Sequence, residues 1–260
     1  MRIRATVAAV SGALALSAFV APAAHAAGST TLDVTFSSMT VNAGKAIVVP
    51  ATGTVKVAVT YKVTHAASLS TGDFYAVPVI YHGSSIKTSE YGVAPDTDPT
   101  CTDTSSTVQS CKATLNVSRA DLVNSIAGTW QKGGIAFDKN DDPTFQDNMG
   151  KVLVQRLSKL TVNAAPEPVK KGKTITVTGS LTRANWDAKK YSGYASQSVK
   201  LQFRKKGSST YTTLKTIKSS STGALKTTTT ATVDGYYRYS FAGTSTTPAV
   251  NATGDYVDVQ

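Results

Sequence analysis

The amino-acid sequence predicts an all-β protein made of two tandem sandwiches behind an export signal. Three observations carry that prediction. Apolar and polar residues alternate over most of the chain, clusters of Gly, Asp, Ser and Pro interrupt the alternation at short intervals, and the charge balance changes near the middle.

Residues 1–26 have the three parts of a secretory signal: Arg2 and Arg4, an apolar run from Val7 to Val20, and the small-residue site Ala24-His25-Ala26, with cleavage expected after Ala26. The apolar run is too short to span a bilayer, and no later segment approaches the roughly 18 consecutive apolar residues that a spanning helix needs. The expected product is secreted and extracellular. The remainder is long enough for two domains of about 100 to 150 residues, each with its own core.

In the first of these, residues 27–157, Leu32, Val34 and Phe36 alternate with Asp33, Thr35 and Ser37, and Val55, Val57, Val59, Tyr61 and Val63 alternate with polar neighbours. Tyr75, Val77, Val79 and Tyr81 repeat the pattern, as do Ala113, Leu115 and Val117. Each run reads as a strand with one wet face. Gly83 to Ser110 is polar and reads as a loop with one edge strand near Ile86 to Val93. Ser118 starts a helical turn over Asp121 to Ser125, its hydroxyl placed to cap the first amides. Gly128 to Phe137 and Lys151 to Leu157 close the domain as two strands.

Residues 158–260 begin with a transition to Pro168. Ile175, Val177, Gly179 and Leu181 form one inward set and Val199, Leu201 and Phe203 another, with Lys200, Gln202 and Arg204 facing outward. Turn signals at Lys205 to Gly207, Ser219 to Gly223, Asp234-Gly235 and Ala252 to Asp255 separate strands near Tyr211 to Lys218, Ala224 to Val233, Tyr236 to Ala242 and Tyr256 to Val259.

The segments KKGKTITVTGSL, SVKLQFRKKG, VDGYYRYSFAG and GDYVDVQ resemble the immunoglobulin-like modules of secreted actinobacterial proteins, over Leu160 to Gln260. The first domain is similar to them in pattern only. The resemblance implies two tandem immunoglobulin-like β-sandwiches after a signal peptide, and a binding, adhesion or scaffold role. It also implies that a tyrosine of Asp234-Gly235-Tyr236-Tyr237 caps a backbone carbonyl ahead of the sixth strand. Departures from antibody domains are the missing cysteine pair in the second domain and Trp186 in a loop.

The two cysteines, Cys101 and Cys111, are close in sequence in an exported chain and read as one local disulfide that pins a loop of the first domain. Catalysis has little to work with. Beyond the signal the histidines are His65 and His82, and no nucleophile motif, zinc motif or phosphate loop is present, so no catalytic residues are expected.

Asp138, Asn140 and Asp142 have the spacing of a calcium loop, but Pro143 replaces the turn glycine and Met149 the bidentate acid of an EF-hand. Two readings stand, a calcium site of another kind and a solvated turn.

Charge divides unevenly. Residues 27–157 hold 10 Lys and Arg against 11 Asp and Glu, and residues 158–260 hold 15 against 5, so the second domain alone carries a net +10. Lys200, Arg204, Lys205 and Lys206, with Lys215, Lys218 and Lys226, are expected to merge into one basic stripe that would attract an anionic cell-wall or extracellular polymer. Nucleic acid is the poorer partner, since the chain is exported and no stacking aromatics interleave the basic run. Trp186, Tyr191 and Tyr194 lie in a loop expected at the same end as Gly243 to Gly254, as a recognition tip or as part of the contact between domains. The function expected is a secreted non-catalytic binding or structural module on a cell surface or anionic polymer. The alternative is an accessory subunit of a secreted assembly that binds a protein partner.

Overall fold

The computed structural model describes residues 32–260, so the expected signal peptide, residues 1–26, lies outside the described residues. Ten strands build the first sandwich: β1 (Val34–Val41), β2 (Ile47–Val49), β3 (Thr54–His65), β4 (Phe74–His82), β5 (Tyr91–Val93), β6 (Thr100–Ser105), β7 (Val108–Ser118), β8 (Gly128–Asp138), β9 (Pro143–Gln146) and β10 (Lys151–Arg156). One sheet has the order β1-β3-β7-β6. The other has the order β2-β10-β8-β4-β5, with β9 paired to β8.

The chain crosses between these sheets after β1. That strand runs antiparallel to β3, whereas β2 pairs in parallel with β10. The second sandwich repeats the device with β11 (Ser158–Leu160), β12 (Asn163–Ala165), β13 (Thr174–Asn185), β14 (Lys190–Gly193), β15 (Ser198–Lys205), β16 (Thr212–Lys218), β17 (Ala224–Thr230), β18 (Gly235–Phe241), β19 (Val250–Asn251) and β20 (Asp255–Val257). There β12 pairs antiparallel with β13, and Val169 bridges Val259 in parallel. β17 joins β13 in one sheet, and β16-β15-β18 with β19 and β20 forms the other. A first strand that serves both sheets, with β3 paired to β7 in one sheet and β4 to β8 in the other, and likewise β13 to β17 and β15 to β18, is the immunoglobulin-like arrangement. The protein is all-β, two such sandwiches in tandem.

Alternation in the sequence sets the cores. Val57, Val59, Tyr61 and Val63 of β3 are buried while Lys56, Ala58, Thr60 and Lys62 are exposed. Trp130 and Tyr61 are the largest fully buried side chains that the first core draws from its own strands. Both satisfy their polar ends internally, Trp130 Nε1 donating to the Ile126 carbonyl at 2.8 Å and Tyr61 Oη to that of Ala76 at 2.9 Å. Phe36 lies flat against Gly134, where a Cβ would sit 2.5 Å from its ring, so this crossing requires glycine. In the second core Tyr239 donates to the Val177 carbonyl at 2.8 Å, tying the two sheets together. The hydroxyl with that structural task therefore belongs to Tyr239, inside β18, rather than to the turn tyrosines Tyr236 and Tyr237.

Several expectations are corrected. β4 is buried on both faces. Ala76 and Ile80 face the main core, whereas Val77, Val79 and Tyr81 form a second cluster with Ile86 and Ile135 on the outer face of the sheet. An apolar roof there removes the wet face that period two assumes. Gly83 to Ser110 contains β5, β6 and the start of β7, and Cys101 and Cys111 are directly opposed cross-strand partners. The disulfide thus staples edge strand β6 to β7 instead of pinning a loop. The helical segment is two 3-10 turns, Arg119–Asp121 and Asn124–Ile126, and Ser118 does accept the Ala120 amide at 3.2 Å. Within Ala184 to Ser196 the chain forms β14 against β13, which loop composition concealed.

Candidate functional site

The aromatic tip is absorbed by the junction between the sandwiches. Trp186 follows β13 directly and is fully buried among residues of the first core, with Nε1 donating to the Val49 carbonyl at 3.3 Å. A side chain with no exposed surface offers nothing to a ligand, so Trp186 is a plug and not a binding residue. Asn124 holds the plug in place. It accepts the Trp186 amide at 2.9 Å through Oδ1 and donates through Nδ2 to Asn185 at 2.7 Å and to the Asp187 carboxylate at 2.5 Å.

Arg156, at the end of β10, is buried and donates through Nε to the Ala184 carbonyl at 2.6 Å. Burial, with the neighbouring charge of Arg183, pushes its pKa down to about 10, and it stays charged at neutral pH. Tyr191 packs on the first core and carries Lys159 3.8 Å from its ring centre. Tyr194 lies under the Arg183 guanidinium at 3.8 Å, with its hydroxyl 3.5 Å from Thr244 Oγ1. Burial alone would raise the pKa of Tyr194; hydrogen bonds with Thr244 and Thr247 and the Arg183 charge outweigh it and lower the value. The loops at Tyr194 and Thr244 therefore do meet, but the first sandwich closes over them, with Gln155 Nε2 donating to the Thr244 carbonyl at 2.9 Å.

The basic residues are not one stripe. Strand register divides them. Lys200 and Lys218 lie on the outer face of the β16-β15-β18 sheet, opposite Thr216 and Ser198, whereas Lys226 pairs with Thr178 on the opposite face of the sandwich. Lys215 stands opposite the inward Leu201 and reaches the Thr228 carbonyl across the seam between sheets at 2.6 Å.

The first of these faces carries what sequence order hides. The Arg238 guanidinium stacks 3.7 Å from the Tyr211 ring centre, Arg204 lies 3.9 Å from that of Tyr236 and 5.5 Å from that of Tyr211, and Lys206 lies 5.4 Å from that of Tyr256. Tyr236 and Tyr256 are 5.2 Å apart, as a cross-strand pair. Cations and rings thus interleave across β15, β18 and β20, correcting the expectation that no aromatics would. Residues from four separate segments meet here only because the strands pair. Tyr211 reaches Gly254 closely enough that a Cβ there would fall 2.2 Å from its hydroxyl.

Asp234 anchors one end of the ladder, accepting the Val259 amide at 2.9 Å and the Tyr256 hydroxyl at 3.1 Å, with Lys206 at 3.4 Å. These partners lower the Asp234 pKa, and Tyr256 with Asp234 raises that of Lys206. Among the described residues Lys206 is the one ion-paired cation of this face, Lys200 and Lys218 are exposed on it, and Lys205, at the end of β15, falls on the side of Phe203 and not on this face.

In the first sandwich, the Asp138 carboxylate accepts the amides of Asn140 at 2.8 Å and Asp142 at 2.9 Å, which lowers its pKa. Asp141 takes a left-handed conformation (φ 63°), which closes the β8–β9 turn. Lys139 pairs with Asp73 at 2.6 Å beside this turn. Asp138, Asn140 and Asp142 therefore make an Asx turn in which the Asp138 carboxylate is engaged by backbone amides, next to an ion pair of Lys139 with Asp73. Among the described residues no group of three His, Cys, Asp or Glu side chains is placed to hold a metal. His65 is buried with Nδ1 3.0 Å from the Ala66 carbonyl, and His82 packs against Trp130.

The sequence matches no family model, and no curated protein matches it. Among solved structures, the chain is similar to the D00-D0 domain of intimin, with 12% identity over 84% of this chain and 98% of that one and a TM-score of 0.29. It is also similar to dimeric latent PorU from Porphyromonas gingivalis, with 11% identity over 89% of this chain, a fifth (20%) of that one, and a TM-score of 0.29. The adhesin InvE of Yersinia pseudotuberculosis is a third, at 12% identity over 88% of this chain and 61% of that one, with a TM-score of 0.27.

Proposed function

We propose that the chain is an exported, non-catalytic binding or structural module, and that its second sandwich associates with anionic extracellular polymer such as cell wall. The observation that carries this reading is the outer face of the β16-β15-β18 sheet. There, exposed Lys200 and Lys218 flank the ladder of Arg238, Tyr211, Arg204, Tyr236, Tyr256 and Lys206. Unpaired ammonium groups supply a long-range attraction to polyanions, and rings held between guanidinium groups present a flat, rigid surface against which polymer units can lie. The disulfide supports an oxidising compartment. Among the described residues, no helix is long and apolar enough to cross a membrane. The resemblance to secreted actinobacterial modules favours cell wall as the polymer.

The test is cosedimentation of the whole chain with purified cell wall, because Trp186 would be stripped of its surroundings in an isolated second sandwich. Binding at low salt that disappears at several times the physiological ionic strength of about 0.15 M, and that is lost in a Lys200→Gln, Lys218→Gln variant, is the expected result. Equal sedimentation of that variant would exclude this face.

A protein-partner role is the second reading, and one observation favours it. β6 is an edge strand exposed along its whole length, available for pairing with a strand of another chain. Light scattering coupled to size exclusion would detect self-association through it, and an extra-strand complex would protect its amides from exchange.

A further inference from the structure

The first sandwich holds a cavity of about 460 Å³ at its open side, where the chain crosses from β1 to β2 and passes β8 and β10. That volume lies within the range of about 300 to 1,000 Å³ typical of small-molecule sites. Its floor is apolar, with Met39, Val41 and Val152 all buried. Its polar wall is made by three lysines, Lys45, Lys132 and Lys151, and no carboxylate lines it. This concentration of positive charge stands out in a half of the chain whose own balance is slightly acidic.

The geometry of the rim is fixed at two places. β1 carries a bulge between Ser37 and Thr40, with Ser38 left-handed (φ 51°), and the Met39 carbonyl freed there accepts Lys132 Nζ at 2.8 Å. That bond spends one of three ammonium donors and holds Lys132 across the gap between the sheets. The lip that follows β1, Asn42, Ala43 and Gly44, runs left-handed at φ 52°, 51° and 77°, and its Gly44 lines the cavity. Such backbone is uncommon for a residue with a Cβ, and strained positions of this kind gather where a ligand is clamped. The Asn42 side chain holds the lip by donating to the Ala46 carbonyl at 2.7 Å.

We propose that this cavity binds a phosphate ester carried on a sugar-sized organic body. Lysine ammonium groups act as point charges suited to a tetrahedral phosphoryl group, whereas a planar carboxylate is better served by the guanidinium fork that this cavity lacks. The apolar floor then takes the body of the ligand. The site lies on the first sandwich and is independent of the polymer-binding face assigned to the second.

The experiment is calorimetric titration of the whole chain with glucose 6-phosphate, with glucose, inorganic phosphate and glucuronate as separate arms. Glucose 6-phosphate should bind saturably at one site and more tightly than inorganic phosphate, and glucose should not bind. Lys45→Gln and Lys151→Gln alter exposed side chains, and each should weaken binding about tenfold, the loss of one charge-assisted contact. Lys56→Gln with Lys62→Gln, on the outer face of β3, and Lys200→Gln with Lys218→Gln, on the second sandwich, should leave it unchanged. Absence of saturable binding up to about 10 mM, a range that includes weak affinities, would overturn the proposal. So would equal losses in the two control pairs, equal binding of inorganic phosphate alone, or equal binding of glucuronate. Because cell-wall cosedimentation depends on the second pair and not on Lys45 or Lys151, the two readings fail separately.

Discussion

The indole nitrogen of Trp186 and the carbonyl oxygen of Val49 lie 3.3 Å apart across the junction of the two sandwiches. The same oxygen accepts the Leu157 amide at 3.0 Å, so both of its lone pairs are committed, one to the crossover and one to the plug. A tryptophan from one domain completes the core of the other.

Trp186→Ala removes a fully buried indole and should destabilise the protein by about 3 to 5 kcal/mol, the usual cost of an aromatic-to-alanine cavity. The loss falls on the junction as well as on the first core. Urea unfolding followed by far-UV circular dichroism should therefore broaden from one cooperative transition into two. Trp186→Phe, which keeps most of the volume, should retain the single transition. An unchanged midpoint in Trp186→Ala would contradict the plug.

Reduction of Cys101–Cys111, or the double Cys→Ala variant, should cost about 2.5 to 3 kcal/mol by the loop-entropy estimate for its sequence separation of 10. The damage should be local. β6 is wholly exposed and held to the rest by β7 alone, so amide exchange should accelerate over Thr100–Ser105 while β3 and β8 stay protected. Uniform acceleration across the domain would show that the staple acts globally.

Tyr239 gives a pH prediction. Burial raises its pKa to about 12, above the value near 10 of an unfolded tyrosine. The folded state then keeps a proton that the unfolded state releases, so the stability from this group is full below pH 10 and is lost as pH rises toward 12. Tyr239→Phe should lower stability at neutral pH, because the Val177 carbonyl loses its donor, and should flatten the alkaline decline. A decline equally steep in the variant would assign it to other groups.

Calcium should change nothing at the β8–β9 turn. The Asp138 carboxylate is occupied by two backbone amides, and Lys139 already neutralises Asp73. Millimolar calcium or a chelator should leave the melting temperature where it is. Asp138→Ala should lower it in either buffer. A calcium-dependent rise in the wild type that Asp138→Ala abolishes would restore the metal reading.

The sequence by itself determined the fold class and most of the strands. Alternation along β3, β7, β13 and β15 encodes which residues face a core, because a strand with one wet face has a strict period of two. It also indicated the disulfide, since two cysteines ten residues apart can meet across one turn, and the uneven charge. β4 was misread for a physical reason: with both faces apolar, Val77 and Val79 look the same as core residues, and only the roof of Ile86 and Ile135 decides which side they occupy.

Tertiary structure decided everything that depends on register and on long-range contact. Lys200 and Lys226 are alike in sequence and lie on opposite faces because their strands belong to different sheets. Arg204, Tyr211, Tyr236 and Tyr256 form one surface, and Lys45, Lys132 and Lys151 one cavity, although each set is scattered along the chain. Trp186 could be a ligand platform or a plug until Val49 and Asn124 closed around it. Local pattern records the side of a strand on which a residue falls, whereas the identity of its neighbour is set by pairing between distant segments, which no local period records.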